Sequence, residues 1–463
     1  MNRLLPLLLL GGLLAAPAAA QVDLSSGPVR GQLYPRDLVT GQATATVAGN
    51  VTQGGWAAVR LEVTAGGRPH FDQSHPLQYV NGAAPFSFAP VIQAGLVEYQ
   101  FKLFLQGGGL QQQVGFVGHV VCGDVYLIQG QSNAVAGDGH GEGLANAESQ
   151  SRWTRSFGTG ALAGTADKPY WYLADGETGT AEGSVGGWGI RLAQHIVERV
   201  GVPVAVLNGA VGATPIKWHQ RDDLDHENLG TNYGRLLWRA RTAGLDQHVR
   251  AVLWYQGEAD GATPYSEYLY WFRELRDDWL EDFPATERIY VFQIHDGCGV
   301  NGMGIREIQR QFADRFPGLS VMSTAGSGGH DGCHYRYSGY RELGDRVARL
   351  VGRDLYGLPM PAAADAPNIR SARFTSAARD EIALDFRDPL EVLHLDPGIE
   401  AYLQVSGPEV VTQASAGPGT LLLQLSGPTA ATRVSWIGHE KGGPWIRNRL
   451  GIGALTFDVP ILP

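Results

Sequence analysis

The sequence predicts a parallel α/β domain set between two β domains. Three observations carry that prediction. Residues 21–118 alternate apolar and polar in short runs broken by Gly, Pro and Asn; from about residue 119 strand-like runs alternate with amphipathic helices; and from about Pro361 the helices stop again. At 463 residues the chain is too long for one ordinary core. The expected division is a leader over 1–20, a β domain over 21–118, an α/β domain over 119–357 and a second β domain over 358–463.

The leader has Arg3 as its positive start, Leu4 to Leu14 as a short apolar run and Ala18–Ala20 as a small-residue cleavage site. This run is shorter than the roughly 20 residues a membrane helix needs, and no cysteine follows the cleavage site to carry a lipid. The mature chain is expected to start near Gln21, in the periplasm or outside the cell, with no membrane insertion. In the first β domain Ala57–Val63 and Val97–Phe104 have period two and read as strands of a small β-sandwich.

In the α/β domain, expected strands are Val125–Gln129, Pro203–Leu207, Ala251–Tyr255 and Ile289–Ile294. Expected helices are Gly189–Val200, Tyr233–Ala243, Tyr265–Trp279, Gly304–Phe316 and Ser338–Leu350. Positions 265, 268, 272 and 279 fall near one helical face, which reads as core packing. Glu381–Phe386, Thr420–Leu425 and Ala454–Val459 read as strands of a second β-sandwich or of a β-extension on the central domain.

A net charge of −10 with no basic tract argues against nucleic acid or an anionic membrane as partner. Three cysteines cannot all pair internally. Cys298 and Cys333 lie in the same part of the chain and are the expected pair, with Cys122 buried as a small apolar residue.

Four segments carry candidate chemistry. Val125–Gln129 runs into a glycine turn that delivers Ser132. A serine needs a base for its proton and donors for the oxyanion. Asp331 and His334 are three residues apart, a spacing that can put a carboxylate on one imidazole nitrogen while the other faces the serine. Gly212, in the turn after the second strand, can bring a backbone N–H close to substrate. Gln256 and Glu258 follow the third strand; Gln256 offers an amide donor and Glu258 an alternative acid, while Asp260 reads as solvated loop charge. In open α/β sheets ligands sit beyond the carboxyl ends of the strands, so these groups are expected to converge. Gln131 and Asn133, flanking Ser132, and Trp218 are candidate substrate-binding residues, with His219 and Arg221 beside the last. Ala134 stands where the nucleophile elbow of α/β-hydrolases needs a glycine.

His295, Cys298, His330, Asp331, Cys333 and His334 are all of metal-ligand type. The surrounding glycines, the absence of Glu after His330 and the lack of any Cys-x-x-Cys argue against a metal centre. No metal or cofactor is expected.

Gly123–Asn133, Asn208–Pro215, Trp254–Glu258 and Asp331-x-x-His334, in this order, resemble the sialate O-acetylesterase-like branch of the SGNH/GDSL hydrolases, which is also similar to acetylxylan esterases. The resemblance covers roughly residues 119–355. It implies a flavodoxin-like three-layer α/β/α domain that removes O-acetyl groups from carbohydrates. By position it implies Ser132 as nucleophile, His334 as general base and Asp331 as its orienter. The oxyanion would fall to the Ser132 and Gly212 N–H groups and the Gln256 amide, Gln replacing the Asn of many members. Glu258 occupies the place some members use for the triad acid, so the choice between Asp331 and Glu258 stays open. Ala134 replaces the usual Met, and the loop before Asp331 is unusually rich in glycine.

The resulting expectation is an exported serine esterase acting on acetylated sialic acid or another acetylated glycan. The alternative is a non-catalytic carbohydrate-binding protein built on a degenerate hydrolase domain, against which every catalytic position is filled. A third reading is a serine peptidase or lipase; a lipase would need an apolar lid, and the sequence shows no such segment. Which sugar is deacetylated and the oligomeric state are not legible.

Overall fold

A computed structural model describes residues 21–160, 168–298, 302–360, 364–438 and 443–463. The expected leader, 1–20, lies outside the described residues. The described residues divide into two compact units: one takes those of 21–29, 44–91 and 98–119; the other takes those of 30–43, 92–97 and 120–463. Residues 30–43 and 92–97, read from sequence as part of the first domain, therefore group with the second unit. The reason is visible at Leu33–Pro35, which pairs in parallel with Val121–Gly123, and at Arg36, whose guanidinium donates to Asp124 at 2.7 and 2.9 Å.

The first unit has two antiparallel sheets. Val47–Val51 pairs with Val22–Ser26 and Ala84–Phe88, and Ala58–Ala65 pairs with Arg68–Pro76 and Tyr99–Gly107. Alternate residues Val59, Leu61, Val63 and Tyr99, Phe101, Leu103 are buried, as period-two patterning requires. Phe71 and Phe88 join the two sheets edge-to-face, with ring centroids 6.3 Å apart.

In the second unit a largely parallel sheet runs in the order Trp171–Leu173, Thr154–Phe157, Val204–Asn208, the 120–130 part of strand Leu110–Gly130, Val249–Tyr255, Arg288–Gln293, Leu319–Ser323, and of these only the first strand is antiparallel. Helices cover both faces. Along the central strand Tyr126 and Gln129 differ in parity and so point to opposite faces. Tyr126 meets Tyr356 of helix Tyr337–Tyr356, O to O 2.5 Å, whereas Gln129 accepts from the Trp279 indole of helix Tyr265–Asp282 at 2.8 Å. From residue 120 on, the central strand and the inner parallel strands beside it are almost wholly buried, as a sheet covered on both faces demands, while the edge strand Trp171–Leu173 is not.

Helices Gly187–Val200, Asn232–Thr242 and Tyr265–Asp282 lie where expected. The expected Gly304–Phe316 helix breaks after Arg310 into a second short piece, Phe312–Arg315. In the aromatic helix Tyr268, Phe272 and Trp279 are fully buried, but Tyr265, at its first turn, is exposed and is not core. Strands Thr154–Phe157 and Leu319–Ser323 were not read from sequence, being short and without alternation.

The C-terminal segment forms a seven-stranded sheet with its own core, including Leu384, Leu421, Val434, Trp436 and Phe457. It belongs to the second unit, so it is an extension of the α/β domain. Gln293, at the end of a central strand, exchanges two 2.9 Å hydrogen bonds with the Thr456 main chain. Arg310 donates to Asn368 and to the Ile369 carbonyl. No helix among the described residues is long and apolar enough to cross a membrane.

Candidate active site

The site is built at the carboxyl end of the central strand. Gly130 has φ +142°, and a Cβ there would sit 2.1 Å from the Tyr255 carbonyl oxygen, so only glycine lets the two strands close. The chain then turns. Gln131 is extended and donates its N–H to Tyr255 O at 3.0 Å, and Ser132 opens a one-turn helix, Ser132–Val135, closed by Ala136 at φ +48°. Across 202 residues of sequence, His334 Nε2 lies 2.9 Å from Ser132 Oγ. This is the distance a general base needs to take the hydroxyl proton.

His334 comes from the loop between strand Leu319–Ser323 and helix Tyr337–Tyr356. Asp331 shapes that loop: its Oδ1 accepts the N–H groups of Cys333 at 2.9 Å and His334 at 2.8 Å. Its Oδ2 lies 3.3 Å from His140 Nε2. Burial works against the Asp331 carboxylate. The His334 and Cys333 N–H groups and the nearby His334 and His140 rings outweigh it and hold its pKa below the ordinary range. The carboxylate thus grips the main chain of His334, and among the described residues its side-chain partner is His140. His140 was not singled out from sequence, where it is a lone histidine in a glycine-rich loop 191 positions from its partner.

Glu258 sits behind Ser132. Its Oε1 accepts from Asn133 Nδ2 at 2.9 Å, and the same amide nitrogen donates to the Cys333 carbonyl at 3.0 Å. Tyr340 donates to Asn133 Oδ1 at 3.1 Å, and the Trp188 indole donates to Asn133 O at 2.8 Å. Asn133 is therefore buried scaffolding that ties Ser132 to the His334 loop, not a residue facing substrate. Glu258 Oε2 is buried without a hydrogen-bond partner among the described residues. Burial pushes the carboxyl up to about 7, the Asn133 bond offsetting part of the rise and Asp260 adding to it. The native state keeps a proton there that the unfolded chain releases from about pH 4.5, so raising the pH through the window from about 4.5 to 7 costs stability. The full cost above it is about 3 kcal/mol. Glu258→Gln stays neutral and is expected to flatten this slope, measured by chemical denaturation near pH 5 and pH 8. Equal losses in both proteins would mean that another group titrates.

Gly212 lies against Ser132, its Cβ position 3.8 Å from Ser132 Cβ. The N–H groups of Ser132 and Gly212 donate to no group among the described residues. Gln256 differs from its sequence expectation as an oxyanion donor. It is fully buried, and its amide nitrogen is spent on Asp260 Oδ2 at 2.5 Å, Thr214 O at 3.1 Å and Gln131 Oε1 at 3.3 Å. Gln131 is also internal: its Oε1 accepts the N–H groups of Gly257 at 3.2 Å and Ala259 at 3.0 Å, fastening the 256–260 loop to the Ser132 turn.

Asp260, read from sequence as solvated charge, is buried and accepts from Gln256, from Ile216 N at 2.7 Å and from Thr263 Oγ1 at 3.0 Å. A buried carboxylate survives because several donors replace its water. His219 is also fully buried; burial lowers its pKa to about 3, and its Nε2 lies 2.7 Å from Thr214 Oγ1. Arg221 is drawn into ion pairs with Asp223, Asp278, Glu281 and Asp282. Of the three residues past the Gly212 turn, only Trp218 faces solvent.

Cys298 and Cys333 form the expected disulfide, and Cys122 is a buried free cysteine. The bond joins the end of one strand loop to the residue beside His334, so neither sulfur is available as a thiolate ligand. His295 and His330 stack with centroids 4.0 Å apart, and no group of three ligand-type side chains poised for a metal occurs among the described residues. A bridge spanning 35 residues restricts the unfolded chain by roughly 2–4 kcal/mol. The Cys298→Ser/Cys333→Ser double variant is expected to lose stability by that amount in denaturant melts and to lower turnover through a loosened His334. Unchanged turnover would show that Asp331 and Asn133 hold the loop unaided.

The arrangement, a serine hydroxyl on an imidazole with two unspent N–H groups beside it, is equipped for acyl transfer. Among solved structures, a carbohydrate acetylesterase from Xanthomonas citri, XAC1771, is similar over 95% of this chain and 99% of its own, with TM-score 0.62 and 18% identity, which bears on fold. A protein from Arabidopsis thaliana, AT4G34215, aligns with 49% of this chain and 97% of its own, at TM-score 0.39 and 20% identity. A comparison with curated protein sequences finds no match. Residues 122–353, half of the chain, match the family described as carbohydrate esterase, sialic acid-specific acetylesterase, a stretch that holds Ser132, Gly212, Glu258, Asp331 and His334. The chain therefore belongs to this carbohydrate esterase family.

Proposed function

We propose that the protein is an exported serine O-acetylesterase of acetylated glycans, with the SGNH arrangement of catalytic groups. The observation that carries the reading is the 2.9 Å contact between Ser132 Oγ and His334 Nε2 at the carboxyl end of the central strand. Ser132 Oγ attacks the acetyl carbonyl while its proton passes to His334 Nε2. The carbonyl oxygen, now an anion, is received by the N–H groups of Ser132 and Gly212. Collapse breaks the ester C–O bond, and His334 returns the proton to the departing sugar oxygen. Water then attacks the acetyl-serine by the same route, releasing acetate and restoring the hydroxyl. Asp331 acts by holding the His334 main chain, Glu258 by holding Asn133, and Gln256 by positioning the Gly212 and Asp260 loops. Export is supported by the leader composition and by the disulfide, which persists in oxidising compartments.

The test is acetate release from 4-nitrophenyl acetate and from a panel of O-acetylated sialosides, xylo-oligosaccharides and pectin fragments, with Ser132→Ala as control. Release that persists in Ser132→Ala would remove the serine from the mechanism. The panel member with the highest kcat/KM identifies the sugar class.

A further inference from the structure

We infer that Trp218 is a stacking platform for a pyranose ring of the glycan that carries the acetyl group. The inference rests on the reading of Ser132 as the esterase nucleophile. All eleven tryptophans of the chain lie in described residues, and Trp218 alone is exposed, at 65%. Tryptophan is among the most buried residue types on average, so one standing in water is not explained by folding. Its backbone does not yield. Trp218 sits in a single 3-10 turn, Ile216–His219, whose end residues Ile216 and His219 are both fully buried.

That turn is fastened from several sides. Ile216 N donates to Asp260 Oδ2 at 2.7 Å, and Trp218 N donates to Pro215 O at 2.9 Å. Gln220 donates to Ile216 O at 3.0 Å and to Trp271 O at 3.3 Å. Next along the chain, Arg221 is held by four carboxylates. An indole on so rigid a ledge loses little freedom when a partner covers it.

The ledge is also tied to the catalytic groups. Asp260 holds Ile216 with one oxygen and shares that oxygen with the Gln256 amide at the strand end. Gly212, whose Cβ position is 3.8 Å from Ser132, lies six residues before Trp218. Three extended steps and three steps of 3-10 helix span at most about 17 Å. A glycan acetylated within reach of Ser132 can therefore extend to the indole. A pyranose ring offers a face of C–H groups with hydroxyls at its rim. A flat apolar indole with a polar N–H edge complements it, and its neighbour Lys217 is already paired with Glu267.

Steady-state kinetics on wild type, Trp218→Ala and Trp218→Phe, with thermal melts to confirm the fold, test the platform. The substrates are 4-nitrophenyl acetate and the best acetylated oligosaccharide of the panel. Trp218→Ala is expected to lower the selectivity for oligosaccharide over nitrophenyl ester about tenfold, through KM, and Trp218→Phe to restore most of it. Equal losses on both esters, no loss on either, or a loss confined to kcat overturns the platform, as does a wild type that cleaves the nitrophenyl ester but no glycan. A wild type inert toward every ester overturns the esterase reading itself and this inference with it.

Discussion

Ser132→Ala is expected to lower kcat for acetate esters by about 10⁴-fold or more, His334→Ala by a similar factor, and the double variant hardly further. The reason is that the two groups act as one device. Without the hydroxyl there is nothing for the imidazole to deprotonate, and without the imidazole the hydroxyl keeps its proton at neutral pH. What remains is the rate from substrate binding and from the Ser132 and Gly212 N–H groups, which both substitutions leave in place. The measurement is burst and steady-state release of 4-nitrophenol. Multiplying losses in the double variant would mean that the serine and the histidine serve separate steps. Both side chains are only partly buried, so melting temperatures should stay close to wild type.

Gly130→Ala carries the largest expected effect on stability, a loss of more than about 4 kcal/mol. Two penalties coincide. A φ of +142° is a conformation L side chains rarely adopt, and the new methyl would lie 2.1 Å from the Tyr255 carbonyl oxygen and 2.9 Å from Ala134 Cβ. Tyr255 O cannot retreat freely, because it accepts the Gln131 N–H that begins the Ser132 turn. Relief would have to come from separating the two central strands, which breaks the fully buried core around Leu127, Ile128, Leu253 and Trp254. Denaturant unfolding, or soluble yield where the variant fails to accumulate, reads the outcome. A loss under about 1 kcal/mol would mean that the strand ends move apart at little cost.

Much of the site was legible before any coordinates. Strand-like runs ending in glycine turns marked the edge where Ser132, Gly212 and His334 meet, because a parallel sheet offers its strand ends as the open side of the fold. Asp331-x-x-His334 was legible as a turn, and the Cys298–Cys333 pair as a crosslink. The errors have one cause. Gln256, Asp260, Gln131 and Asn133 are polar residues at strand ends, and sequence does not tell whether such a group faces substrate or a buried neighbour. In the folded chain all four are internal, each satisfying donors or acceptors that burial took from water. His140 escaped notice for the converse reason: its significance is a carboxylate 191 positions away.

The sequence by itself determined the α/β character of the central half, the esterase family and the residue types available for acyl transfer, because these follow from periodicity, turn chemistry and motif order. Only the tertiary structure decided which hydroxyl meets which imidazole, which amides are spent on the scaffold and which single tryptophan is left in water. Those outcomes depend on contacts between residues as far as 202 and 207 positions apart. Burial sets them: a polar atom removed from water must find a partner wherever the packing brings one, and only the groups left unspent remain for chemistry.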